Sequence, residues 1–415
     1  MRRVKAAAFR AAQTLSRRFP NREVSKVLPS RSDHVGSDSN ALWVIITPVF
    51  LPAPGGGAIY SDIIARALSN TGGDVLIITE QYPGCPLREE RSVSGISGRI
   101  FIERLLPYRA GRSEQDWRSY LAYAQANLLN FRLPAVVGRY VKCTQKEDVK
   151  ILLHSAFLYH WNTVAFQVKR LRRVFGPSLD VAVDVRDLQM PDRTLKHLPA
   201  FNAVVTSSQK VADTLRWRAA DLPPVVTIDM PFEAPQLPGA ALQSQWLDKW
   251  ALTERPYLLN PNGLKTSKHT PAMRDAIPLL RQHCGLEELV LVTIGRERDR
   301  TAADTAAETR GEALYLGPVP HEKVLALMKK ALFTLILSDQ EAISRAALEA
   351  MSVGGRVLLP NLAEFNRDCA SHVVSSPTKE AIAAKVLELK AHPMPTFEYG
   401  RHGKEAFLPK YLSLF

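Results

Sequence analysis

Two carboxylates, Glu341 and Glu349, stand with seven residues between them in SDQEAISRAALEAMSVGGRVLLPN, the segment running from Ser338 to Asn361. A helix spanning both would separate them by about 12 Å along its axis, at 1.5 Å of rise per residue. That matches the length of a sugar–diphosphate–ribose unit. The amides of Ile343, Ser344 and Arg345 would sit at the helix N-terminus, where unsatisfied N–H groups and the helix dipole attract anions. One short segment could therefore offer a carboxylate to a sugar hydroxyl, amides to a diphosphate and a second carboxylate to a ribose diol. A plainer reading stands beside it. Glutamate near a helix N-terminus is favoured by the dipole alone, and Glu349 could simply face solvent.

Other residues invite the same question. Gly55, Gly56 and Gly57 lie in FLPAPGGGAIYSDIIARAL, between a strand-like run and a helical one, and glycine lets a backbone approach a ligand closely. The pattern is neither G-x-G-x-x-G nor a P-loop, since no G-K-[ST] follows. Lys265 and Lys268 lie in NPNGLKTSKHT, again just after a strand-like run, and His154 ends VKILLHSA. Lysines in loops are usually solvated, and a single histidine after an apolar strand is more often structural. Arg186 and Asp187 in DVRDLQMPDR read as partners bracing a loop, and Ser207 and Ser208 as the start of a helix. No G-x-S-x-G, H-E-x-x-H or D-x-D pattern is present.

The elements that must carry these residues alternate. From Ala41 to about residue 229, apolar runs (ALWVIITP, DVLIITEQ, VKILLHSA, DVAVDVRD, AVVTSS, PVVTID) are separated by helical patterns, including a long one near 114–143. Residues 236–255 break the rhythm and read as a linker. The alternation resumes over 256–392 with YLLNPN, LVLVTIG, ALYLG, LFTLILS, RVLLP and HVVSS, and 393–415 ends the chain as a terminal helix, expected to pack back on the first domain. Continuous apolar strands separated by helices predict parallel sheets covered on both faces. The expectation is an α/β chain of two tandem Rossmann-like domains, 41–235 and 256–392, with ligands at the carboxyl ends of the strands and a cleft between the domains.

LILSDQEAISRAALEAMSVGGRVLLP resembles the E-x7-E element of the family-4 retaining glycosyltransferases of the GT-B fold. Ser338, both glutamates, the LEAM run and Gly354 all fall in place, and YLGPVPHEKVLALMKKA upstream is similar to that family's preceding segment. The resemblance covers nearly all of 41–415 and is most specific over 313–361. It implies that a nucleotide-diphosphate sugar binds chiefly to the second domain, with Glu349 on the ribose hydroxyls and Glu341 on the transferred sugar. Lys268, with Lys265 and the amides of 343–345, would stabilise the leaving diphosphate. The glycine loop at 55–57 would face the diphosphate, and His154 would lie close to the donor sugar and the acceptor. An acceptor hydroxyl held by the first domain would attack the anomeric carbon with retention, without a metal or other cofactor. Two departures bear on turnover: Gly263 stands where the family has an arginine, and Ala342 where it usually has glycine. They leave open a non-catalytic binding or partner protein of the same fold. A nucleotide-sugar epimerase is the other alternative.

Bulk composition narrows the class. At 415 residues the chain is too long for one core, and with 46% hydrophobic and 23% charged residues it reads as a soluble globular protein. Four scattered cysteines without C-x-x-C argue against structural zinc and against a disulfide framework, and suit a reducing cytosol. Residues 1–40 hold nine Lys/Arg against three acids, a net +6 of the chain's +13. With Val4, Ala8, Ala11, Ala12, Leu15 and Phe19 at helical spacing, residues 1–31 could lie on an anionic membrane, each cation adding about 1 kcal/mol. A plain tail and a transit peptide are the competing readings. Nucleic acid is not expected as a partner, because the basic residues beyond the tail are not interleaved with aromatics. The acceptor class that suits a basic tail is a glycan or lipid-linked glycan, in polysaccharide or glycolipid synthesis.

Overall fold

The computed structural model describes residues 40–52, 56–92, 97–106, 133–154, 164–186, 190, 192–295, 299–338 and 343–415. The basic segment 1–39, Gly55, Glu341, Ala342, Asp187 and most of the helical pattern expected at 114–143 lie outside these residues. The chain divides into two units, Met1–Pro231 with Arg401–Phe415, and Phe232–Gly400. Among the described residues no helix is long and apolar enough to cross a membrane.

The first unit is built on an eight-stranded sheet of order β3-β4-β2-β1-β5-β6-β7-β8. Its strands are β1 (Ala41–Ile46), β2 (Asp74–Glu80), β3 (Arg88–Arg91), β4 (Ile100–Leu106), β5 (Asp148–His154), β6 (Asp180–Val185), β7 (Ala203–Thr206) and β8 (Val225–Thr227). All pairings are parallel except that of β3 with β4. Every residue of β1 is buried, as a parallel strand with both faces covered requires. From β1 the chain moves outward to β2 on one side and returns to β5 on the other. The sheet therefore changes direction between β1 and β5, the point at which open α/β sheets bind ligands. Helix α1 (Gly56–Ser69) follows β1, α2 (Leu133–Thr144) precedes β5, and α3 (Val164–Phe175) follows it. Further along come α4 (Asp192–Leu195) and α5 (Gln209–Arg218). Ser208 caps α5, its hydroxyl accepting from the Val211 amide at 3.4 Å.

The second unit repeats the plan in a six-stranded, all-parallel sheet of order β11-β10-β9-β12-β13-β14. These strands are β9 (Tyr257–Asn260), β10 (Val290–Ile294), β11 (Ala313–Gly317), β12 (Phe333–Leu335), β13 (Val357–Pro360) and β14 (Val373–Val374). The reversal falls between β9 and β12. On one face, α7 (Thr270–Leu280) and α12 (Lys379–Leu389) bury Met273, Ile277, Leu280, Ile382 and Val386 against Leu258, Leu291 and Phe333. Each such side chain contributes about 1.5–3 kcal/mol relative to exposure.

Two expectations change. Residues 236–255 are not a plain linker: α6 (Ala240–Lys249) forms there and belongs to the second unit. Leu247 is its buried anchor, and Lys323 of α9 (His321–Lys330) lies over the Trp246 ring at 5.4 Å. The terminal segment 393–415 holds a 3-10 turn, Gly400–His402, and an α-helix only from Lys404 to Leu412, here α13, which is part of the first unit. The remaining helices are α8 (Ala302–Thr309), α10 (Arg345–Ser352) and α11 (Ala363–Cys369).

Candidate functional site

In the second unit the sites read from sequence gather at the carboxyl ends of the strands, where the sheet reverses. The loop after β9 carries Lys265 and Lys268, and the segment after β12 leads into α10 and Glu349. The β9 loop is held by its own polar groups. Asn260 is buried, donates through Nδ2 to the Gly263 carbonyl at 3.0 Å and accepts from the Asn262 amide at 3.1 Å. The Thr270 hydroxyl accepts from the Lys265 amide at 3.2 Å and donates to the Lys265 carbonyl at 2.9 Å. Lys268 ends a single 3-10 turn, Thr266–Lys268, and both lysines are half-buried.

Three glycines join the neighbouring loops. The Gly263 amide donates to the Ile294 carbonyl at 2.8 Å, and the Gly295 amide to the Gly317 carbonyl at 2.8 Å. All three have positive φ: +73° at Gly263, +112° at Gly295 and +67° at Gly317. This bears on the missing arginine. A left-handed backbone costs most other residues about 1–2 kcal/mol, so an arginine placed at 263 would carry that cost or require the loop to change shape.

Helix α10 starts later than the sequence predicts. Ser344 is its N-cap in extended conformation (φ −99°, ψ 113°), and Arg345 is its first residue. Ile343 is buried immediately before it. A continuous helix from 341 to 349 is therefore excluded. Of the three amides expected at the helix start, only that of Arg345 lies in the first turn. The Ser344 carbonyl accepts from the amides of Ala347 and Leu348, both at 3.2 Å.

Glu349 is not solvent-facing. Its side chain is 9% exposed, and its Oε1 lies 3.2 Å from His321 Nε2 and 3.9 Å from an Arg345 guanidinium nitrogen. The hydrogen bond to Glu349 raises the His321 pKa above its ordinary value against the opposing pull of burial, with Arg345 lowering it and Glu322 raising it. Arg345 also lies 5.9 Å from the Phe232 ring centroid. His321 was not among the residues singled out from sequence. Its one signal is its place, directly after Pro320 in the Gly-Pro-Val-Pro run at the end of β11.

In the first unit the expected residues again meet where the sheet reverses. Gly56 and Gly57 open α1 after β1, and a Cβ at Gly57 would come within 3.1 Å of Val49 Cγ2. His154 ends β5, in register with Asp184 of β6. Burial, then the Arg186 charge, pushes the His154 pKa well below its usual value, so the imidazole is neutral. The bracing expected between Arg186 and Asp187 lies outside the described residues, but Arg186 has a partner within them. It bonds Asp184 Oδ2 through Nε at 2.8 Å and Nη2 at 2.6 Å. Its guanidinium covers the Tyr60 ring, and Tyr60 shares a hydroxyl hydrogen bond with Tyr411 of α13. Tyr60, Asp184 and Tyr411 are all buried, and Asp184 Oδ1 has no hydrogen-bond partner among the described residues. Tyr60 and Tyr411 were missed in the sequence because an aromatic at helical spacing reads as core, and Asp184 because its partners come from other segments. Chemically this end of the unit offers an uncharged imidazole, able to donate or accept one hydrogen bond without adding charge.

Among the described residues no three His, Cys, Asp or Glu side chains cluster as metal ligands.

Residues 243–403 match the family model of glycosyl transferases group 1. No curated protein sequence matches the chain significantly. Solved structures resemble it over most of its length. The sucrose-phosphate synthase of Thermosynechococcus elongatus is 16% identical with a TM-score of 0.60, covering 90% of this chain and 95% of its own. A UDP-forming α,α-trehalose-phosphate synthase of Burkholderia xenovorans, in complex with glucose-6-phosphate, is 13% identical with a TM-score of 0.59, covering 90% and 99%. A trehalose-6-phosphate protein of E. coli bound with UDP-2-fluoro glucose is 13% identical with a TM-score of 0.57, covering 90% and 96%. The fold is that of the GT-B glycosyltransferases, two Rossmann-like units in one chain, and the match over 243–403 supports a glycosyltransferase.

Proposed function

We propose that this chain is a retaining glycosyltransferase that moves a sugar from a nucleotide-diphosphate sugar to an acceptor hydroxyl, without a metal ion. The observation that carries the reading is Glu349: a nearly buried carboxylate, one turn into α10, behind the strand at which the second sheet reverses. Its role is to accept hydrogen bonds from the ribose hydroxyls of the donor. Lys265 and Lys268 stand on the adjacent loop as counter-charges for the diphosphate, joined by the Arg345 amide at the helix start. Charges fixed in place before the reaction lower the barrier to leaving-group departure, because no solvent must reorganise. Glu341 is assigned to the transferred sugar. In the first unit the neutral His154 is assigned to the acceptor side, where it can orient a hydroxyl without drawing the donor's negative charge toward itself. The glycine loop at 55–57 is assigned to the donor diphosphate.

The similar structures bound to UDP-2-fluoro glucose and to glucose-6-phosphate make a UDP-hexose and a phosphorylated or lipid-linked glycan the first substrates to try. A cytoplasmic enzyme of polysaccharide or glycolipid synthesis, held at the inner membrane face by residues 1–31, is the setting that suits the basic segment. The test is nucleotide binding by calorimetry. Wild type should bind one nucleotide of a UDP, ADP and GDP panel, and Glu349→Gln should bind it at least tenfold more weakly, the value of about 1.4 kcal/mol for a lost charged hydrogen bond. Equal affinity would overturn the assignment. One observation favours a second reading. Glycine at 263, with its positive φ, removes a cation the family uses, which suits a chain that binds nucleotide without turning it over. Product formation from donor and acceptor separates the two.

A further inference from the structure

We propose that His321 is a positioning residue of the nucleotide site, donating from Nε2 to Glu349 Oε1 so that the second carboxylate oxygen is held ready for the ribose hydroxyls. The inference rests on the reading of Glu349 as the ribose ligand and deepens it.

The geometry comes from two different helices. His321 is the first residue of α9, immediately past β11, while Glu349 belongs to α10. Their contact of 3.2 Å ties the carboxyl end of β11 to the helix behind β12. Among the described residues both close cations, His321 and Arg345, approach the same oxygen, Oε1. A carboxylate oxygen can accept two hydrogen bonds. His321 at 3.2 Å is close enough to hydrogen-bond Oε1, while Arg345 at 3.9 Å adds only charge attraction to the same oxygen, so Oε2 is the oxygen turned towards a ligand and the rotation of the carboxylate is limited. A side chain only 9% exposed has lost most of its water, and an ionised group stripped of water needs fixed donors in its place. His321 supplies one while remaining 45% exposed itself.

The exposure of the ring also makes the contact responsive to protons. The groups facing His321 are Glu349, which raises its pKa, Arg345 on the same helix as Glu349, which lowers it, and Glu322 on its own helix, which raises it. The charged imidazolium bonds the carboxylate more strongly than the neutral ring. Donor affinity should therefore be highest below the raised His321 pKa and decline as pH rises through it.

The experiment measures binding of UDP-glucose, ADP-glucose and GDP-mannose across neutral pH, because a sugar-diphosphate has no group of its own titrating there. Wild type, Glu349→Gln, His321→Ala and His321→Gln are compared on the full chain. His321→Ala should weaken binding of the preferred donor about tenfold, at the lower end for a bond to a charged group, with the loss falling on the donor KM more than on kcat. His321→Gln, whose amide nitrogen can reach the place of Nε2, should recover most of the affinity and flatten the pH profile. The proposal falls if His321→Ala binds as wild type while Glu349→Gln binds weakly, or if His321→Gln keeps the wild-type pH profile. If Glu349→Gln binds as tightly as wild type, the ribose assignment itself has failed, and this inference fails with it.

Discussion

Gly295 is where backbone strain and the proposed nucleotide site coincide, and replacing it with alanine tests both. Its φ of +112° lies where side chains are rarely tolerated, and holding a residue in such a region costs of order 1–3 kcal/mol. A second cost is steric. The added Cβ would sit 3.1 Å from the Gly263 amide nitrogen and 3.3 Å from Gly263 Cα. Those are backbone atoms, and the Gly263 amide is fixed by its 2.8 Å bond to the Ile294 carbonyl, so they yield only if the β9 loop moves. Gly285 is the control, with φ +81° and nothing within 4 Å of its added Cβ. Gly285→Ala should cost only the left-handed backbone, about 1–2 kcal/mol. Gly295→Ala should cost that and the displacement of the loop, about 2–4 kcal/mol in total. Urea unfolding with an unchanged m-value reads both differences as midpoint shifts. Because the displaced loop carries Lys265 and Lys268, Gly295→Ala should also weaken nucleotide binding, by about fivefold for each 1 kcal/mol of misplacement, whereas Gly285→Ala should leave it unchanged. A Gly295→Ala protein no less stable than Gly285→Ala would refute the steric reasoning. One that is destabilised but binds nucleotide normally would separate the loop from the site.

Two further outcomes follow from buried polar groups. Tyr60→Phe and Tyr411→Phe each leave one buried hydroxyl without its phenolic partner and should each cost about 1–2 kcal/mol; in the double variant part of the loss should return, and simple additivity in the thermodynamic cycle would show that the hydroxyls are not coupled. His372 is buried beside Phe333, its Nδ1 3.0 Å from the Ser371 hydroxyl, and burial, then the Arg356 and Lys385 charges, lowers its pKa from 6.5 to about 4. The unfolded chain then takes up the proton at higher pH than the folded one, so stability should fall as pH drops from 6.5 towards 4 and stop changing with this group below that. His372→Asn should flatten that slope in urea midpoints measured across the window, and an unchanged slope would assign the effect elsewhere.

The parallel cores were legible because burial on both faces leaves few polar positions. The runs at β1, β2, β5 and β6 read as strands for that reason alone, and observed strand ends fall within a few residues of the expected ones. The strands β3 and β4 were not legible. β3 is REER, an antiparallel edge with no apolar residue, and β4 places Glu103 and Arg104 inside the sheet. Charged residues are tolerated there only because distant partners neutralise them. Glu103 takes Arg139 at 2.5 Å, the Tyr140 hydroxyl at 2.8 Å and Arg88 at 3.1 Å. Arg104 takes Glu89 at 2.8 Å and the Pro86 carbonyl at 3.0 Å. Such pairings join segments tens of residues apart, so neither periodicity nor propensity registers them.

The site divides along the same line between local pattern and distant contact. Glu349 was found because the residues around it form a local motif, whereas His321, which bonds it, comes from a separate helix and was passed over. The delayed start of α10 changes what the motif can do. Glu349 lies four residues from Arg345, about 6 Å along the axis. If an anion binds at the first turn and a diol at Glu349, as proposed, they are one helical turn apart, half the distance that a helix beginning at Glu341 would have imposed. That shorter interval suits a ribose and its own nearest phosphate groups. Under the proposed function, the transferred sugar would be met by residues outside the helix, Glu341 among them. It follows that substitutions within α10 should act on nucleotide affinity, and substitutions in the segment before it on which sugar is transferred.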